Sequence, residues 1–235
     1  MPDSLPSRAC CTPMPSAEGV HADGYGRLAL WSALVGTIIA ISYLGAAEDP
    51  PEDVLYTWSA AISGLFYYAL VLAAVLLISR GRTASLLALR APPSWARAAV
   101  ISLGLLLAIF ALNGVVEIFL DPGEEQGLVP EDWDPSRADA FAANFVVVAL
   151  LAPIAEELMF RGLGFSLLRR FGRIAAILVV GIAFGLAHGL VEALPLLAAF
   201  GIALAYLRSE TASVIPPIIL HSLFNAIALI ASVSS

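Results

Sequence analysis

The chain has 235 residues, is 60% hydrophobic and only 13% charged, and carries a formal net charge of −7. That charged share is about half of what a soluble globular domain carries. So much apolar surface cannot be hidden inside a water-soluble fold of this size, so lipid is the expected solvent. All twelve basic residues are Arg, which reads as compositional bias. No nucleic-acid partner is expected.

In chain order, residues 1–24 form a polar tail rich in Pro and acids, without the apolar run of a signal peptide. It is expected to be a disordered cytoplasmic tail. His21 in it reads as a solvated residue. The adjacent Cys10 and Cys11 read as two reduced thiols, since neighbouring cysteines rarely bridge and no spaced framework accompanies them.

About seven apolar runs follow, near 28–47, 54–78, 98–120, 140–160, 174–190, 193–207 and 214–233. Most approach the ~20 residues that a helix needs to cross a bilayer. They are long, rich in Leu and Ala, and do not alternate, so helix is expected throughout. The fold class is therefore all-α, a polytopic transmembrane bundle. Residues 25–139 hold the first three helices and an acidic outer loop. Residues 140–235 hold the last four helices. The segment 86–95, with Pro92 and Pro93, is expected to lie along the inner interface, anchored by Trp95 and its Arg neighbours.

The Arg residues set an orientation. With the N-terminus inside, Arg8, Arg27, Arg80, Arg82, Arg90, Arg97, Arg161, Arg169, Arg170, Arg173 and Arg208 all fall on the cytoplasmic side, and only Arg137 falls outside. Acids fill the outer loops instead, at Glu48, Asp49, Glu52 and Asp53 and again between Asp121 and Asp139. The protein is expected in the cell membrane with its C-terminus extracytoplasmic.

Ionisable groups at membrane depth are costly, so each calls for a reason. Glu157 and Arg161 stand at i and i+4 with the acid N-terminal, the favourable order for a helical ion pair. Glu156 is rotated from Glu157 by about 100° and is free to face a cavity. His188 follows an apolar stretch and shares a helix face with Phe184. His221 and Asn225 are also one turn apart. Each feature alone reads equally well as packing. Counted from Arg170, Arg173 and Arg208 respectively, Glu156, His188 and His221 each lie on the order of 20 Å deep, which points to one shared site. Such a set suits hydrolysis. A carboxylate in low dielectric can act as general base, and a His with an Asn can stabilise an oxyanion. Glu156, His188 and His221 could equally hold Zn²⁺ with a position open for water. Asn113 and Glu117, at i and i+4 on the third run, read as an outer-leaflet packing pair. Asn144 reads as a helix contact and Glu192 as a loop residue.

Glu156-Glu157-x-x-x-Arg161, Phe184-x-x-x-His188 and His221-x-x-x-Asn225, in that order, resemble the signature of the CAAX protease and bacteriocin-processing (Abi) family of intramembrane endopeptidases. Type II CAAX prenyl endopeptidases belong to that group. The resemblance covers about residues 140–232. It implies a membrane endopeptidase acting on peptide or membrane-protein substrates, with Glu156 activating water and His188 assisting. His221 and Asn225 would form the oxyanion site, and Glu157 and Arg161 would support the geometry. The family has been described both as metalloproteases and as metal-free glutamate enzymes, so the implied cofactor is none or zinc. Two other functions remain from the residues themselves. One is a proton-coupled transporter with a Glu/His relay, although no internal repeat is visible. The other is a non-catalytic membrane adaptor.

Overall fold

The computed structural model describes residues 17–45, 53–120 and 133–233. Cys10, Cys11 and the acids at 48, 49, 52 and 121–132 lie outside the described residues. Among those described, the elements are helical and none is a strand. We number the helices α1 (Ala17–Gly45), α2 (Trp58–Ser79), α3 (Thr83–Leu86), α4 (Trp95–Val116), α5 (Pro135–Phe171), α6 (Arg173–Leu186), α7 (Leu194–Thr211) and α8 (Ile215–Ser232). The all-α bundle expected from the apolar runs is the observed architecture. The first helix begins at Ala17, inside the stretch expected to be an unstructured tail.

Five segments are long and apolar enough to cross a membrane unaided: Gly24–Gly45, α2, α4, α5 and α8. The expected count of seven is not established by that measure. At 14 residues α6 reaches only about 21 Å. α7 carries Arg208 and Glu210 near its end. These two helices pack against each other at backbone distance. A Cβ on Gly201 would stand 2.4 Å from the Gly181 carbonyl oxygen, and one on Gly185 would stand 2.8 Å from the Ala198 nitrogen. Small residues one turn apart are how membrane helices approach this closely.

The fourth apolar run does not end at Phe160. α5 continues to Phe171 through two π-helical stretches, Val147–Leu151 and Leu158–Gly164, either side of the α-helical Ala152–Glu157. Pro153 explains part of this. In the first π stretch the Ala152 N–H already bonds the Val147 carbonyl, five residues back. The next bond in that register would come from residue 153, and proline has no N–H to give. The Val148 carbonyl instead accepts from the Asn225 side chain of α8 at 2.9 Å.

Helix ends are fixed by local chemistry. Thr57 caps α2 by accepting from the Ala60 N–H, and Ser94 caps α4 by accepting from the Arg97 N–H. The segment after α3 is tucked into the bundle at its start. Leu87 and Ala88 are fully buried, and the Ala88 carbonyl accepts from the Val214 N–H at 3.2 Å. Gly162 leaves the space, since a Cβ there would be 3.1 Å from the Leu87 Cα. Beyond Ala88 only Pro92 is buried, and Leu89, Arg90, Ala91 and Pro93–Trp95 are exposed.

Arg residues gather at one end of the bundle. Arg27 reaches the Ile78 and Arg80 carbonyls, Arg90 reaches the Ala212 carbonyl, and Glu210 pairs with both Arg97 and Arg173. Arg208 departs from the expectation of a loop position. It lies within α7, is buried, donates from Nε to the Arg161 carbonyl at 3.1 Å and stacks over Phe165. Arg137 sits at the opposite end, paired with Asp53 at 2.8 Å and Asp134 at 2.5 Å and lying over the Tyr56 ring. Hydrogen bonds from Ser136 and Arg137 lower the Asp134 carboxyl to about 2, so this corner stays ionised at any ordinary pH.

Candidate active site

α5 delivers two carboxylates in succession, and they face different surroundings. Glu157 points inward and is fully buried with Arg161. Arg161 donates from one terminal nitrogen to Glu157 Oε1 at 2.9 Å and from the other to the Gly201 carbonyl at 2.7 Å. Its guanidinium lies 4.4 Å from the centre of the Phe184 ring. One side chain thus ties α5 to α6 and α7. A buried pair of this kind costs about 3–5 kcal/mol when one partner is removed, because a charge is left alone in low dielectric.

Glu157 Oε1 also accepts from His221 Nδ1 at 3.0 Å. A carboxylate only accepts, so the proton of this bond is on Nδ1. The other ring nitrogen, Nε2, then faces Glu156, with 3.9 Å to its Oε2. That span is too long for a direct hydrogen bond, but a small oxygen ligand can touch both atoms.

Glu156 is held on its other side. Tyr68 of α2 donates to Glu156 Oε1 at 3.0 Å. No protein group donates to the buried Oε2. Two further buried atoms, Glu157 Oε2 and Arg161 Nε, share that state. Oε2 of Glu156 differs from them in belonging to a residue that lines open space.

That space is a cavity of about 630 Å³ between α2, α4, α5, α6, α7 and α8. Glu156, His188, His221 and Asn225 all line it, with Phe110, Phe200 and Phe224 among its walls. A second cavity, of about 230 Å³, lies toward α1 and is lined by Ser42 and Tyr67. Glu156, His188 and Tyr68 border both.

His188 sits just past the end of α6. Its Nδ1 donates to the Phe184 carbonyl at 2.8 Å, so Nε2 of the neutral ring is the acceptor. Phe184, fully buried, meets both His188 and His221 edge-on, with ring centroids 4.8 and 5.5 Å away. Phe200 meets His221 from the other direction at 5.3 Å. The two imidazoles are therefore held by aromatic packing as well as by hydrogen bonds.

Of the six residues singled out from sequence, four line one cavity, and Glu157 and Arg161 stand behind them against His221 and Phe184. Sequence reading passed over Tyr68, one aromatic residue in a long apolar helix. Its signal was available: a tyrosine hydroxyl inside such a run needs a buried partner. Asn113 and Glu117, read as an outer-leaflet packing pair, also border the larger cavity.

Zinc would need three or more ligands drawn together. Among the described residues no group of three His, Cys, Asp or Glu side chains is placed to hold a metal ion. Glu156 and His221 approach each other, and His188 is not drawn in with them as a third ligand. As placed here, these side chains do not converge on a metal position.

Residues 138–227 match the family model described as Type II CAAX prenyl endopeptidase Rce1-like. Through this region the chain is similar to the Rce1-like family. The match begins at the start of the α-helical part of α5 and ends just past Asn225, so it encloses all six candidate residues of the site. No curated protein and no solved structure matches the chain. The apolar spans and this match together support an integral membrane protein.

Proposed function

We propose that this Rce1-like protein is an intramembrane endopeptidase that hydrolyses peptide bonds with water activated by Glu156. The observation that carries the proposal is Glu156 Oε2. It is a buried carboxylate oxygen without a protein donor, on the wall of a cavity, 3.9 Å from His221 Nε2.

In this reading a water bound at Oε2 passes a proton to Glu156 as its oxygen attacks the scissile carbonyl carbon. Nε2 of His188 accepts the second hydrogen bond of that water and orients it. The carbonyl oxygen gains negative charge, and His221 Nε2 with the Asn225 amide stabilise it. Because Nδ1 of His221 already donates to Glu157, donation from Nε2 requires the cationic ring, for which Glu157 is the counter-charge. The C–N bond then breaks, and the proton held by Glu156 passes to the leaving amine. Glu157 and Arg161 act through His221 and are positioning residues. Tyr68 holds Glu156 by its other oxygen.

The test is cleavage of apolar peptides by the full-length protein in detergent. Glu156→Gln keeps the shape and removes the base, so kcat should fall by about 10² to 10⁴. A variant that cleaves as fast as the parent would sink the proposal. Chelation is expected to leave cleavage unchanged, and loss that is restored by zinc would replace the proposed role of Glu156 with that of a ligand.

A further inference from the structure

The larger cavity has a second polar end. It runs from Glu156 and His221 to Asn113, Glu117 and Ser232. His221 and Ser232 are both on α8, so their separation along the helix is about 16 Å at ~1.5 Å per residue. An extended peptide rises ~3.3 Å per residue, so about five residues fill that length. The walls between are apolar, formed by Phe110, Leu197, Phe200, Phe224 and Ile227.

The far end is electronegative from three sources. Glu117 is exposed and takes one hydrogen bond, from Asn113 Nδ2 at 2.7 Å. Among the described residues no cation pairs with it, and no Arg occurs anywhere between Arg97 and Arg137. Glu117 is also the C-cap of the 22-residue α4, whose terminal carbonyls carry partial negative charge. Ser232 marks the C-terminus of α8 at the same place. A carboxylate and two helix C-termini at the mouth of a low-dielectric cavity attract cations and repel anions.

We propose that this cavity selects peptides carrying an Arg or Lys about five residues from the scissile bond, with apolar residues between, and that Glu117 pairs with that cation. The inference rests on the endopeptidase reading and names its substrate class. A guanidinium suits the site best, because it can bind the carboxylate through two parallel hydrogen bonds. An acidic residue, or a chain-terminal carboxylate, at that distance is disfavoured.

The experiment uses the full-length protein in detergent and a series of apolar fluorogenic peptides. Each carries one Arg, ~3 to ~7 residues from the cleaved bond on either side, with Ala and Glu counterparts. An Arg near the fifth position on one side should raise kcat/KM by about tenfold over Ala, and added salt should reduce the gain. Glu117→Gln should bring that ratio toward one, and Glu117→Arg should turn the preference to the Glu peptide. Equal cleavage of all peptides by the parent protein, or a ratio that Glu117→Gln leaves intact, overturns the inference and leaves the endopeptidase standing. If no peptide is cleaved, the endopeptidase reading fails first. Affinity of the same peptides for Glu156→Gln then decides the inference on its own, since Arg peptides must bind about tenfold tighter than Ala peptides.

Discussion

Tyr68 and Glu156 come from helices far apart in sequence, and their 3.0 Å hydrogen bond leaves one carboxylate oxygen engaged and the other bare. A hydrogen bond to a charged group contributes roughly 1.5–3 kcal/mol. Here it also fixes which oxygen faces the cavity. Tyr68→Phe deletes that donor and little volume. In peptide cleavage, kcat should fall by about tenfold while KM stays near that of the parent, because the lost hydroxyl is engaged with Glu156. A change confined to KM, or to thermal stability, would show that Tyr68 only packs. The same residue marks what sequence could and could not reveal. Glu156, His188 and His221 stood out because three ionisable side chains in separate apolar runs fall at about one depth. Tyr68 did not, because aromatic residues belong in such runs. Glu157 and Arg161 were legible as a pair from their spacing. That Glu157 would also take His221 Nδ1 was not, since this depends on how α8 crosses α5.

Helices were legible wherever apolar length alone decides them, and their ends moved where a charge was buried instead of solvated. Arg161 looked like the end of a membrane helix. It lies inside one, because Glu157, the Gly201 carbonyl and the Phe184 ring replace its water. The π stretches of α5 were hidden for a different reason. They depend on a proline and on a side chain from α8, which no periodicity encodes. The α6–α7 contact gives the element scale its prediction. Gly201→Ala would push a methyl group to 2.4 Å from the Gly181 carbonyl oxygen, where backbone must move. Separation of the helices would also weaken the Arg161 bond to the Gly201 carbonyl. A loss of about 1–3 kcal/mol is expected from the overpacking. Gly104→Ala is the comparison. Nothing lies within 4 Å of a Cβ at Gly104, so the better helix former should stabilise by up to about 1 kcal/mol. Unfolding of both variants in detergent checks the contrast. Equal shifts would mean that α6 and α7 do not meet at Gly181 and Gly201.

At the scale of the molecule, the two ends of the bundle differ in how many Arg residues they carry, and this argues for one direction of insertion. Arg27, Arg80, Arg90, Arg97 and Arg173 mark one end, where Glu210 is the acid that bridges two of them. At the other end Arg137 is flanked by Asp53 and Asp134, and its positive charge is fully offset. Orientation follows the excess of Lys and Arg in short loops, which stay on the cytoplasmic side. The Arg-rich end is therefore expected inside the cell, and the Asp53–Asp134–Arg137 corner outside. Both ends offer an exposed serine, Ser85 in α3 and Ser136 before the α-helical part of α5. With Cys10 and Cys11 replaced by Ser, single variants Ser85→Cys and Ser136→Cys can be exposed to a membrane-impermeant maleimide in intact cells. Ser136→Cys should label at once, and Ser85→Cys only after permeabilisation. The reverse pattern would invert the topology and place the Glu117 end of the cavity in the cytoplasm. Labelling of both from outside would be graver. α2, α4 and α5 could not then cross the bilayer as three consecutive spans, and the bundle that brings Glu156 to His221 would have to be drawn again.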